Sequence, residues 1–183
     1  MQTSGVARAV AALMIVLAAA PGCGAQAAPA APASFRTEFL HQFDVSMGKV
    51  VALAEAVPAE TYGRRAVPAV QPLGQIFAHI AYYNYEYPAR AMGIDPPNGI
   101  DRDTLEQVRD KAQVVALLKR SAEHVRSRVR QLPEAQLAQT TTLYGRRVPQ
   151  WAVLFQLLAH MNDHMGQSIA YARASGVVPP WSQ

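Results

Sequence analysis

His160 and His164 stand four residues apart in Leu157-Leu158-Ala159-His160-Met161-Asn162-Asp163-His164-Met165-Gly166-Gln167. On an α-helix that spacing places two side chains one turn apart on the same face. Two imidazoles so placed can aim at one point, which is how a helix supplies two ligands to a metal ion. A zinc protease helix with this spacing carries a glutamate base directly after its first histidine. Met161 stands there instead, so protease chemistry of that type is disfavoured. The pair needs a third ligand, and three other histidines can be weighed for it. His79 lies on the face shared by Ile76, Tyr83 and Glu86 and is the best candidate; otherwise it is a hydrogen-bonded core histidine. His41 lies about 200° round its helix from Phe39, toward water. His124 falls opposite an apolar stripe, beside Arg120 and Arg128, on what reads as a solvated face. The carboxylates that could act as a base or hold a ligand are Glu86, two turns from His79, and Asp163. Tyr83 and Gln167, one turn from His79 and His164, could orient ligands or substrate.

Four helical segments must position these residues. The first runs from about Ser34 to Ala56, with Phe35, Phe39, Phe43, Met47, Val50 and Ala54 at three- and four-residue steps. Ser34 is its N-cap and Pro58 its stop. A linker from Pro58 to Gln71 follows, and Pro72 opens the second helix, which carries Leu73, Ile76, Phe77, Ile80, Tyr83 and Tyr87 and stops near Gly93. Pro96-Pro97-Asn98-Gly99 is a turn. The third helix is expected to start at Asp103, with Glu106 as capping-box partner, and to run to Leu132 before Pro133. Glu134 to Val148 is a second long connection, in which Thr140–Tyr144, Gly145 and Arg146–Val148 suggest a short hairpin. Pro149 opens the last helix, whose apolar positions are Leu154, Leu157, Leu158, Met161, Met165 and Ile169, and Gly176 closes it. Trp181 in the tail is expected to pack back on the bundle. Four amphipathic helices and almost no strand make an all-α four-helix bundle, a fold that hosts metals through side chains on facing helices.

The N-terminus reads as a targeting segment. Arg8 precedes an apolar run, Ala9 to Ala20, too short to cross a bilayer but of signal-peptide length. Ala25-Gln26-Ala27 is an A-x-A cleavage site, giving a signal peptide at 1–27. Alternatively, Ala20-Pro21-Gly22-Cys23 is a divergent lipobox, ending the leader at residue 22 and lipidating Cys23. Residues 28–33 form an Ala/Pro tether and 34–183 a single domain. Either route predicts export, periplasmic or lipid-anchored in the envelope, with membrane contact only through the anchor. Cys23 is the only cysteine, so the mature domain has no disulfide and no thiol nucleophile, which excludes cysteine-protease, thioredoxin-like and zinc-thiolate chemistry. The 17 basic and 13 acidic residues give a net charge of +4, too mild to imply a nucleic-acid partner.

Gln75-Ile76-Phe77-Ala78-His79-Ile80-Ala81, His160-x-x-x-His164 with Gly166-Gln167, and the ending Tyr171-Ala172-Arg173-Ala174-Ser175-Gly176-Val177-Val178-Pro179 together resemble the DinB-like (DinB/YfiT-like) family of metalloenzymes. The likeness extends from Ser34 onward. It implies a bundle of up-down-down-up type and a divalent ion, commonly zinc or nickel, held by three histidines. Position by position these are His79, His160 and His164. Family members often carry Arg after the second histidine of the pair, where this chain has Met165. Three imidazoles with open coordination positions make a catalytic type of site. Relatives that perform thiol S-transfer or isomerise a thiol adduct imply metal-activated thiol chemistry. Export favours hydrolysis equally, because such thiol cofactors are mainly cytosolic. A non-catalytic metal- or ligand-binding envelope protein is the alternative. A small-molecule substrate fits the first reading, and the family's habit of dimerising implies a homodimer for either.

Overall fold

The computed structural model describes residues 33–182. The signal-peptide sites, Cys23 and most of the Ala/Pro tether lie outside them. Six helices and one hairpin follow in order: α1 (Phe35–Ala56), α2 (Leu73–Met92), α3 (Arg102–Leu105), α4 (Lys111–Gln131), α5 (Glu134–Leu137), β1 (Thr140–Leu143), β2 (Arg146–Pro149) and α6 (Gln150–Ala174). Single turns of 3-10 helix lie at Ala59–Thr61 and Pro180–Ser182.

The four long helices are α1, α2, α4 and α6. Each of α1 and α2 packs on both α4 and α6, so α1 and α2 face each other across the bundle diagonal. Paired side chains fix the directions. Phe35 at the start of α1 meets Trp151 at the start of α6, so these two run parallel. Tyr83 and Tyr87 of α2 meet His160, while His79 meets both His160 and His164 one turn further on, which makes α2 antiparallel to α6. Asn84 donates to Ser121 and Tyr85 lies on His124, so α2 and α4 run together. Asp44 pairs with Arg126 and Glu55 with Lys119, so α1 opposes α4. With α1 taken as up, the order is up-down-down-up.

Helix ends follow local chemistry. The Ser34 hydroxyl accepts from Thr37 N, and Gly93 takes the left-handed conformation (φ 67°) that lets α2 stop without a Cβ clash. The stripe Phe39, Phe43, Met47, Val50 and Ala54 is buried, as the period of α1 demands. The third segment differs from its expected form. Asp101 caps the single turn α3 through Thr104 N, and Asp110 caps α4 through Gln113 N. The long helix therefore begins at Lys111, not Asp103, and Glu106 is the C-cap of α3, not a capping-box partner at a helix start. Within it Ala112 is exposed, whereas Val114, Leu117, Leu118, Val125 and Val129 are buried. His124 is not on a solvated face either. It is half-buried against the Tyr85 ring, and its Nε2 has no hydrogen-bond partner.

The Pro58–Gln71 linker is locked by Tyr62, which is fully buried and donates its hydroxyl to Ala54 O at 2.6 Å. The hairpin forms as expected, pairing Leu143 with Arg146 across the two-residue turn Tyr144-Gly145. Both turn residues have positive φ, 48° and 75°, the pattern of a tight hairpin turn that matches strand twist. The tail's last turn lies against α1, but Pro179 is the residue it buries and Trp181 stays 38% exposed.

Candidate metal centre

His79 sits at the seventh position of α2, and His160 and His164 face it from α6. The periodicity of both helices brings this about: Ile76, Ile80, Leu157 and Met161 are buried around them and fix which face each helix turns inward. One ligand atom from each of the three histidines lies within 4.8 Å of the others. His79 Nε2 and His160 Nε2 are 3.2 Å apart. Two imidazole nitrogens sharing a tetrahedral zinc at about 2.0–2.1 Å stand about 3.3–3.4 Å apart, so this pair already has a ligand separation.

The chemistry of the donor set also fits a cation. His79 is 8% exposed, and Glu106 Oε1 lies 2.6 Å from its Nδ1. Arg102 Nε donates to the same oxygen at 3.0 Å. Burial pulls the Glu106 carboxyl upward, but the hydrogen bonds and charges of His79 and Arg102 outweigh it and hold it below the ordinary carboxylate range. Glu106 is therefore an acceptor, and His79 Nδ1–H donates to it. That leaves Nε2 bare of a proton and turned toward the other two histidines. A carboxylate behind a histidine in this way fixes the tautomer and raises ligand basicity. On the other helix His164 Nδ1 lies 3.0 Å from Gln167 Oε1, and Gln167 in turn donates to the Tyr171 hydroxyl at 3.1 Å.

Burial keeps His79 and His160 neutral. Burial pushes the His160 imidazole down to about 3, with further repulsion from His164 and His79. His79 is also lowered, chiefly by burial, with Glu106 pulling the other way. A buried imidazole that resists protonation is a lone pair kept available to a metal.

Aromatic side chains wall one side of the cluster. The Tyr83 ring centroid is 4.6 Å from that of His79 and 4.3 Å from that of His160, and the Tyr87 ring meets His160 edge-on at 5.5 Å. Arg102 reaches over the outer face of Tyr83. The other sequence candidates are distributed unevenly. Gln167 is at the site through His164, and Tyr83 is in contact with two of the histidines. Glu86 points into a neighbouring slot, where the Tyr82 hydroxyl donates to it at 2.9 Å. That hydroxyl is pushed up to about 12 by burial and by Glu86. Asp163 is exposed on α6. The residue that spacing did not reveal is Glu106, and only its coincidence with a capping-box pattern drew notice to it.

A helical bundle with three histidines converging from two facing helices, one of them backed by a carboxylate, defines the class: a helical bundle carrying a three-imidazole group that could hold a metal ion. The model of the DinB superfamily matches residues 42–168, and the chain belongs to that superfamily. Solved structures agree on the fold. A DinB-like protein from Bacillus cereus superposes with a TM-score of 0.67 at 17% identity, covering 79% of this chain and 95% of its own. A second DinB-like protein, from Bacillus subtilis, gives 0.61 at 19% identity, covering 77% and 93%. No functionally curated protein matches the chain.

Proposed function

We propose that this chain is an exported, divalent-metal-dependent enzyme of hydrolase or thiol S-transferase type. His79, His160 and His164 would hold the ion, with zinc or nickel best suited to imidazole donors. The single observation that carries the reading is the convergence of the three imidazoles with His79 oriented by Glu106. Three histidine ligands leave coordination positions open, and a closed structural site would use four protein ligands. Held by these residues, such an ion would supply Lewis acidity toward a water, a thiol or a carbonyl. The protein's own residues do the rest. Glu106 keeps the proton on His79 Nδ1, Gln167 holds the His164 ring, and the Tyr83 and Tyr87 rings exclude water from one flank. Export rests on the Ala9–Ala20 run and the processing sites that follow it.

The test is metal analysis followed by turnover. Purified protein reloaded with zinc or nickel is expected to retain about one ion per chain, and His160→Ala to retain far less. A panel of small esters, amides and thiol–electrophile pairs should show product formation that a chelator abolishes and the ion restores. Stoichiometric metal without turnover on any of them would leave a binding protein of the envelope. No metal in wild type, or unchanged metal in His160→Ala, would sink the site itself.

A further inference from the structure

Beside the histidines, α2 and the hairpin enclose a slot of about 90 Å³, lined by Tyr83, Glu86, Tyr87, Thr142 and Tyr144, with Arg90 at its rim. Tyr83 and Tyr87 are the rings that touch His160, so the slot opens next to the cluster. Three phenol faces and one carboxylate line it. The carboxylate is half-buried and only partly engaged: Tyr82 donates to Glu86 Oε2 at 2.9 Å, while the nearest cation to Oε1, Arg90 Nη1, stands at 4.0 Å. That guanidinium is 79% exposed, so its long ion pair with Oε1 is weak and solvent-screened. Aromatic side chains beside a carboxylate whose cation partner is long and solvent-exposed are the chemistry that receives an organic cation, which would displace Arg90 from Glu86.

Tyr144 marks the slot as built. Its φ of 48° lies in the left-handed region, where a turn of this kind ordinarily takes Asn, Asp or Gly. The side chain is 64% exposed, yet its hydroxyl meets that of Tyr87 and its ring stands edge-on to the Tyr87 ring. Thr141 pins the strand beneath by donating to Ala91 O at 2.6 Å, an end-of-helix carbonyl of α2. A bulky aromatic in a strained turn position, held over a cavity rather than buried, points to a ligand contact.

We propose that this slot is the subsite for an ammonium group on the substrate, making the substrate class a small molecule with an amine at one end. Glu86 and His79 are seven residues apart on one helix face, so their backbones are about 10 Å apart along the axis. The amine therefore lies several ångströms from the reacting bond, not on it. The assignment of that bond to the histidines rests on the metal-site reading. The slot does not, since its walls come from α2 and the hairpin alone.

The experiment is calorimetric titration of the metal-free full chain with benzylamine, benzyl alcohol and benzoate, three probes of one shape and three charges. Benzylamine is expected to saturate at least about tenfold tighter than benzyl alcohol, with benzoate weakest. Glu86→Gln should bring benzylamine to the level of the alcohol. Tyr144→Phe should stay within about threefold of wild type, and Tyr144→Ala should lose about tenfold through its missing ring face. Circular dichroism confirms that each variant is folded, and Glu86→Gln with Tyr144→Phe suffices if Tyr144→Ala is not. Benzoate binding as tightly as benzylamine, an unchanged affinity in folded Glu86→Gln, or no saturable binding in wild type overturns the proposal. Retained benzylamine binding in His160→Ala supports the slot whatever that variant's metal content. Failure of the slot and failure of the metal site are thus read from separate measurements.

Discussion

Replacing Glu106 by glutamine isolates the carboxylate's contribution to the centre while keeping its shape. In the native protein Glu106 is 7% exposed and its Oε1 takes hydrogen bonds from both His79 Nδ1 at 2.6 Å and Arg102 Nε at 3.0 Å. A glutamine carbonyl could still accept from Nδ1, but as a neutral acceptor, roughly half as strong. Its amide end could equally turn toward His79 and favour the opposite tautomer, with the proton on Nε2 and the ligand lone pair lost. Removing a carboxylate behind a metal-bound histidine costs about 10- to 100-fold in metal affinity, or about 1.4–2.7 kcal/mol. The upper part of that range is expected here, because the His79–Glu106 pair is buried and water cannot replace the lost charge. Arg102 has half its side chain in solvent and re-solvates without a large penalty. The assay is competition for zinc against a chromophoric chelator at fixed pH, with Arg102→Ala as the companion variant. Arg102→Ala should cost less than Glu106→Gln, since it leaves the His79 contact in place. Glu106→Gln that is folded and binds zinc within about twofold of wild type would refute the argument, because the contact would then be a core hydrogen bond with no hold on the ligand.

Two further perturbations test other parts of the structure. In the metal-free protein His160 has an unfolded value near 6.5 and a folded one near 3, so the unfolded chain takes up a proton the fold refuses. Its stability contribution is complete above pH 6.5, falls as the pH drops below that, and is exhausted near pH 3; at pH 5 the loss is about 2 kcal/mol. Urea melts at pH 7 and 5 should show it, and His160→Gln should flatten the difference; a wild-type stability level between those pH values would refute it. Gly74→Ala and Gly48→Ala should act with opposite signs. At Gly74 a Cβ would lie 2.9 Å from Tyr62 Cδ1 and 3.0 Å from Tyr62 O, neither free to withdraw, so about 1–3 kcal/mol should be lost. At Gly48 nothing lies within 4 Å, so alanine should stabilise α1 by about 0.5–1 kcal/mol. Thermal melts of the two variants decide it, and equal shifts would be the wrong result.

Local sequence rules recovered what depends on one helix at a time. The four-residue step of His160 and His164, the period that turns His79 inward and the Thr-run with Tyr144-Gly145 each specify their structure within a few residues. Contacts between elements escaped those rules. Glu106 lies 27 residues from His79, on a connection whose path no periodicity reports. Asp103-x-x-Glu106 also satisfies the pattern of a helix start, so local chemistry offered a competing role that the true caps, Asp101 and Asp110, displaced. His124 followed from the same error in reverse. A stripe drawn from Asp103 rotates the assigned polar face, and the residue that buries His124 is Tyr85, on a different helix. The slot at Tyr144 needed the hairpin to fold back on α2, a contact specified by Thr141 and Ala91, not by either strand alone.

The topology itself accounts for where the missing carboxylate comes from. Helices α2 and α4 both run down, so the chain must climb back along the bundle between them. The 20 residues of α2 make that climb about 30 Å. A short loop of the kind that joins antiparallel neighbours cannot span it, and the connection from Gly93 to Asp110 does. At up to about 3.3 Å per residue, that connection has length to spare, and the excess is taken up in the single turn α3 near its upper end. The climb ends beside the start of α2, where Arg109 donates to Gln75 at 3.2 Å. Three residues earlier the chain passes His79, and Glu106 enters there. In an up-down-up-down bundle the same two helices would be joined at their near ends, and no backbone would pass the histidines. The parallel pair thus does more than order the helices. It brings an irregular segment to a site where α6 orients His164 through Gln167 but neither helix supplies the carboxylate that orients His79.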